Sequence, residues 1–406
     1  MRYKKKDLEK NVKLYYTYFI VNRISFLVPI LILFWQSFLL SFTQIAIISI
    51  TFAIAVLLFE IPTGALADTI GRKKVIVASS LLLLFYSILM ALPIFITVNA
   101  FYIFIVAYFI AGLGVALGSG ADSALFYDSL KHLKREKEFS THFSKFASKT
   151  HFIRAIVVII GGLLGYISLN LPILIQLIPS TITFFVALGF VETSKVKKKS
   201  TMQSQIKQIK YSLKNIYQNK IILWLIIFSA SFFAFSVMTT EYDEIFLKNV
   251  GIPIYIFGFI FASADFLRGY FISKSDKFIK KFKDKLWLVL LILPSIAFLL
   301  YLKFDNFYFQ VINIILLFIV ISSFSLSENV FETTLHDNTK SSMRATVFSV
   351  KSMIMNLAYL IMPIFGLLTD KYGLIISTKI FSGISFIILL VIVLFKPKIK
   401  TKTHTL

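Results

Sequence analysis

Apolar runs of about 20 residues follow one another from Leu14 almost to the end of the chain, each long enough to cross ~30 Å of hydrocarbon. Twelve are legible, at about 14–35, 43–66, 75–95, 101–126, 149–168 and 171–191, then 221–245, 253–273, 285–303, 307–331, 346–368 and 374–395. Their length and lack of two-residue alternation rule out the strands of a membrane barrel. The pattern predicts an all-α integral membrane fold of twelve transmembrane helices in two pseudo-symmetric six-helix bundles. The bundles span 1–192 and 221–406, and a basic cytoplasmic linker at 193–220 joins them. The run from Leu14 to Trp35 is too long for a signal-peptide core and lacks a small-residue cleavage site, so it reads as a retained first helix.

The polar positions orient this arrangement. The chain is 57% hydrophobic and 16% charged, against roughly 25% charge in soluble domains. Its net charge of +23 would suit a nucleic-acid partner, but the placement of the charges excludes one. Of 43 basic residues, only Lys248, Lys303, Lys371 and Lys379 fall on the outer connections, while Arg23, Arg154 and Arg268 fall inside spans. The remainder crowd every second connection, which predicts a multi-pass plasma-membrane protein with both termini cytoplasmic. In the linker, Ile206, Ile209, Leu213, Ile216 and Tyr217 recur at helical spacing. They fit an amphipathic helix on the inner leaflet and a solvated basic linker equally. With no cysteine and five scattered histidines, neither disulfides nor a metal site is expected, and no cofactor motif is present.

One hairpin carries most of the motif information. Between the second and third spans, Gly64, Asp68, Gly71, Arg72 and Lys73 are spaced G-x-x-x-D-x-x-G-R-K. Glycines allow close helix ends and a tight turn, an aspartate suits a helix N-terminus, and the basic pair suits a carboxylate on a neighbouring helix. The stretch GALADTIGRKK resembles the signature of the major facilitator superfamily. Together with Glu60-Ile61-Pro62-Thr63 and SGADSALFYDSL (Ser119 to Leu130), it is similar to a bacterial branch of small-molecule and drug efflux permeases. The resemblance implies that Arg72 pairs with Asp128 and that Asp68 caps the start of helix 11 near Arg344 to Thr346, closing the cytoplasmic side. Three positions depart from the pattern: Thr69 replaces a common basic residue, Tyr108 stands where such antiporters often carry an arginine, and Gly161, Gly162 and Gly165 have no accompanying proline.

The second half echoes the first. Asp276, Lys280 and Lys281 repeat Asp68, Arg72 and Lys73, and Glu332 answers Asp128, so Asp276, Lys280 and Glu332 form the expected second-half gate. Gly366, Asp370 and Gly373 copy the glycine–aspartate spacing on the outer side without the arginine, and no gating role is assigned to them. Charges inside spans are functional candidates by default. Arg23, about ten residues into the first span and hence ~15 Å deep, should face a central cavity. Glu60 and Asp265 are candidate proton carriers, because a desolvated carboxylate alternates readily between its charged and neutral forms. Arg268 lies one turn from Asp265, within pairing reach. Arg154 is the remaining intramembrane charge. Glu241, Asp243 and Glu244 read as a solvated outer helix end.

The resulting expectation is a secondary active transporter working by alternating access, as a monomer in the bilayer. It would move small organic or amphipathic molecules, with proton-coupled efflux as the main reading. Proton-coupled uptake, or translocation of a lipid-like solute, on the same fold is the alternative. No phosphate-cradling loop for ATP and no catalytic triad or metal cluster supports an enzyme, and the longest polar segment, the linker, is too short for a sensor domain.

Overall fold

A computed structural model of the chain describes residues 5–193, 216–282, 285–299, 306–339 and 344–397. The helices, in order, are α1 (Lys5–Val21), α2 (Leu31–Gln36), α3 (Phe42–Ile70), α4 (Arg72–Ala91), α5 (Ala100–Gly118), α6 (Ala121–His132), α7 (Phe139–Ile167) and α8 (Asn170–Leu188). There follow α9 (Lys220–Thr240), α10 (Asp243–Asn249), α11 (Ile254–Phe282), α12 (Leu286–Leu299), α13 (Phe307–Asn338), α14 (Arg344–Asn356), α15 (Met362–Tyr372) and α16 (Leu374–Leu394). The fold is all-α and multi-span. Among the described residues ten helices, not twelve, are long and apolar enough to cross a membrane.

The shortfall has local causes. The expected first span, 14–35, is divided into α1 and α2. Asn22, Arg23 and Ser25 are poor company for lipid, and Pro29 lacks an N–H and disfavours helix at the residue before it. The expected ninth span is described only in part, as α12, since 300–305 lie outside the described residues. Three other expected helices are interrupted. The span at 101–126 breaks at Ser119–Gly120, where Gly120 is left-handed (φ 74°). The span at 221–245 breaks between α9 and α10, and that at 346–368 tightens into a 3-10 turn at Leu357–Ile361, ahead of Pro363. The linker positions from Ile206 to Leu213 lie outside the described residues.

The chain forms two compact units. One comprises Met1–Leu40, Ile47–Gln205 and Ile254–Ala262; the other comprises Ser41–Ala46, Ile206–Pro253 and Ser263–Leu406. In the first, Tyr15, Tyr18, Phe126, Phe146 and Phe190 anchor a buried cluster, with Tyr15 stacked on Phe126 at 4.3 Å between centroids. In the second, Trp224 stacks on Phe228 at 5.1 Å and Trp287 on Phe331 at 5.5 Å, and Trp224 Nε1 donates to the Ile392 carbonyl at 2.7 Å. Lipid tails are as apolar as these side chains, so close packing and internal hydrogen bonds, rather than flight from water, hold the helices together. Backbone contact in the first unit shows how close this packing is. A Cβ on Gly162 would lie 2.7 Å from the Gly258 nitrogen, and one on Gly258 2.6 Å from the Val158 carbonyl oxygen.

Asn11 is the polar counterpart of that packing. It is fully buried on α1, donates to Ser129 Oγ (3.1 Å) and the Val191 carbonyl (2.8 Å), and accepts from the Val191 N–H (2.8 Å). One amide thus ties α1 to α6 and to the chain leaving α8. Asn11→Leu keeps the helix but strands both backbone groups of Val191. It should destabilise the protein by about 2–3 kcal/mol, read as a lowered midpoint of thermal or SDS unfolding in detergent; an unchanged midpoint would show that the ties are dispensable.

Candidate transport site and gate

The break in α1 is the centre of the first unit's polar region. Non-helical backbone at membrane depth must find partners within the protein or line a wet cavity. Here Gln176, on α8, supplies them: its Oε1 accepts from the Phe26 N–H and its Nε2 donates to the Ile24 carbonyl, both at 3.0 Å. A cavity of about 190 Å³ lies against the break, lined by Asn22, Ser25, Ser80, Ser87, Gln176 and Thr183. A second, of about 330 Å³, is lined by Tyr15, Tyr18, Arg23, Ser119, Asp122 and Ser123. Arg23 sits just beyond the C-terminal end of α1, where the helix dipole favours a cation. Its Nη1 donates to the Phe19 carbonyl at 3.1 Å and its guanidinium lies 3.7 Å over the Phe19 ring. Asp122 reaches the same cavity because the left-handed Gly120 restarts the helix as α6, with Asp122 in its first turn.

The Gly71 hairpin is held on two sides. Gly71 has φ 101° and no side chain to cap α4, and Glu192 accepts from the Lys73 N–H in its place (2.9 Å). Arg72, half-buried, pairs with the Asp128 carboxylate and donates to the Ala124 carbonyl at 2.6 Å. The hairpin is therefore tied to α6. The side chains of Asp68, Asp276 and Lys280 lie outside what the structure describes, as do those of the expected Asp68 partners Arg344 to Thr346, and Gly64 is described only as part of α3. Nearby, on the connection outside the spans, Arg135 donates to Glu138 through Nε (2.8 Å) and Nη2 (2.6 Å), with His142 Nε2 at 3.2 Å. The hydrogen bonds from Arg135 hold the Glu138 carboxyl down at about 2.

The second unit has its own cavity, about 250 Å³, lined by Phe232, Phe324, Ser236, Arg268, Glu328 and Lys351 among others. Arg268 and Asp265 form the i,i+3 pair at 3.3 Å. Glu332 pairs with the buried Lys351 at 3.2 Å. On α3, Glu60 Oε2 is buried with no hydrogen-bond partner among the described residues, while Arg154 is half-buried on α7. Tyr108 belongs to an aromatic cluster, 4.9 Å from Trp35 and 5.7 Å from Tyr86, so an aromatic ring occupies the arginine position of the resembling antiporters.

One reading from sequence is corrected, and one residue proves to have a structural task. Asp243 and Glu244 are buried rather than solvated, because the chain turns after α9 and α10 carries Ile245, Phe246 and Leu247 inward. Asp370 has a structural task the spacing did not disclose: it caps α3. Its Oδ1 accepts from the Phe42 N–H (2.8 Å), and its Oδ2 from the Thr43 N–H (3.0 Å) and hydroxyl (2.6 Å).

The pattern described as Major Facilitator Superfamily matches residues 16–363. The chain belongs to that superfamily. It is a membrane transporter of this group and not an enzyme. The transporter is 26% identical, over 381 residues and 92% of both chains, to the Bacillus subtilis (strain 168) protein YxaM, an uncharacterised MFS-type transporter. The nucleoside transporter NupG shares its fold at a TM-score of 0.79 and 15% identity, over 96% of this chain and 99% of that one. A D-xylose–proton symporter does so at 0.66 and 16%, over 99% of each chain.

Gln176, Glu192 and Lys351 escaped sequence reasoning, since a lone glutamine, a helix-end glutamate and a basic residue on an inner connection carry no periodic signal. Gln176→Leu strands Phe26 N–H and Ile24 C=O. For this facilitator it should lower transport at least tenfold in vesicles at matched protein content. Gln176→Glu, which keeps only the acceptor, should fall between; wild-type rates in both variants would show that the clamp does not shape the site.

Proposed function

We propose that the protein is a proton-coupled uptake symporter for a small polar organic solute, working by alternating access. The observation that carries this reading is the lining of the cavities. Hydroxyls, amides and charges line the cavities of the first unit, and in the second hydroxyls and charges stand beside Phe232, Phe233, Phe324 and Phe331, which suits a hydrated organic solute. The shared fold with a D-xylose–proton symporter and a nucleoside transporter fits the same direction of transport. Glu60 and Asp265 are the carboxylates placed to carry the proton. Arg72, with Asp128, is the gate contact on the cytoplasmic side, and the basic inner connections support cytoplasmic termini. The protein works as a monomer in this scheme.

The test uses right-side-out membrane vesicles with a defined pH gradient and a panel of labelled nucleosides, pentoses and amino acids. Acid outside should drive accumulation of one class, and Asp128→Asn should slow it at least tenfold. Extrusion driven by the same gradient would instead establish an antiporter and overturn the uptake reading.

A further inference from the structure

We propose that the 330 Å³ cavity of the first unit binds a small zwitterion, with its carboxylate on Arg23 and its ammonium on Asp122. The proposal rests on the transport reading above and names the solute class for it.

Several opposite charges in this protein meet. Arg72 and Asp128 are in contact, Arg268 and Asp265 are 3.3 Å apart, and Lys351 and Glu332 3.2 Å apart. Arg23 and Asp122 do not. Both line one cavity, yet among the described residues no ion pair within 4.0 Å joins them or ties either to another group. Arg23 is held in place: one N–H is committed to the Phe19 carbonyl and the plane rests on the Phe19 ring, leaving the other donors of its fork to meet a carboxylate. Asp122 Oδ1 accepts from the Ser123 N–H at 2.6 Å, and Oδ2 is left to receive an ammonium.

The surroundings add polar contacts but no counter-charge. Tyr15 is fully buried and lines the cavity, and its hydroxyl has no hydrogen-bond partner among the described residues. Tyr18, Asn22, Ser119 and Ser123 line the same space. A simple anion there would face the repulsion of Asp122, and a simple cation that of Arg23. A neutral polyol would leave both charges without a partner. A molecule carrying both signs a few ångströms apart answers both, and the volume suits one of amino-acid size.

The experiment is equilibrium binding to the purified full-length protein in detergent. The probes are L-alanine, L-serine and L-phenylalanine, each compared with its amide, which lacks the carboxylate, and its 2-hydroxy acid, which lacks the ammonium. At least one amino acid should bind, with both analogues at least tenfold weaker. Asp122→Asn should weaken that amino acid at least tenfold and shift preference toward the hydroxy acid; Arg23→Gln should shift it toward the amide. Opposite shifts in the two variants cannot come from misfolding. Failure of all three amino acids to bind wild type, or binding indifferent to both substitutions, overturns the site. Proton-driven uptake of a nucleoside or pentose that no amino acid competes with also overturns it, while leaving the symport reading intact. Zwitterion binding with no solute movement in vesicles supports the site and sinks the symport reading instead.

Discussion

A polar backbone group inside a membrane has no water to turn to, and the structure is arranged around that constraint. Where helices run unbroken the backbone satisfies itself. Where α1 stops at Val21 and α2 begins at Leu31, another element must step in, and Gln176 of α8 does so with both ends of its amide. The clamp makes a break affordable at a depth where Asn22, Arg23 and Ser25 can face open space instead of lipid. The cavities of the first unit follow from it.

The same economy governs helix ends. Asn99, Asn219 and Asn306 each cap the helix that follows them with their own side chains. Gly71 offers α4 no such cap, so Glu192 reaches in from a distant part of the chain, and Asp370 does the same for α3 in addition to the local Ser41–Gln44 cap. A cap supplied from another element couples a helix end to that element. Such a contact can be made and broken as a unit, which a cap from the adjoining residue cannot. Arg72 on Asp128 adds a charge-assisted bond to the same hairpin.

The lining of the cavities bears on what crosses the membrane. Efflux of amphipathic compounds was the natural expectation from the hairpin's resemblance to efflux permeases. Many rings pack the scaffold, as in the cluster around Phe126, while Phe232, Phe233, Phe324 and Phe331 line the second unit's cavity beside its serines and charges. In the first unit tyrosines, serines and charges turn toward the open space.

Periodicity and charge placement were enough to identify a multi-span helical membrane protein, because long apolar runs and lysine asymmetry act locally and need no knowledge of contacts. The hairpin spacing likewise marked Arg72 and Asp128 as partners through resemblance. The interruptions were not legible: the run from Leu14 to Trp35 reads as one helix until Gln176, 150 residues beyond Phe26, is brought beside it. Nor did spacing reveal that Asp370 would cap Phe42, or that Asp243 and Glu244 would be drawn inside. Hydrogen bonds between residues far apart in sequence leave no periodic trace. Only folding decides which broken backbone meets which side chain, and so which charges end up facing a cavity together.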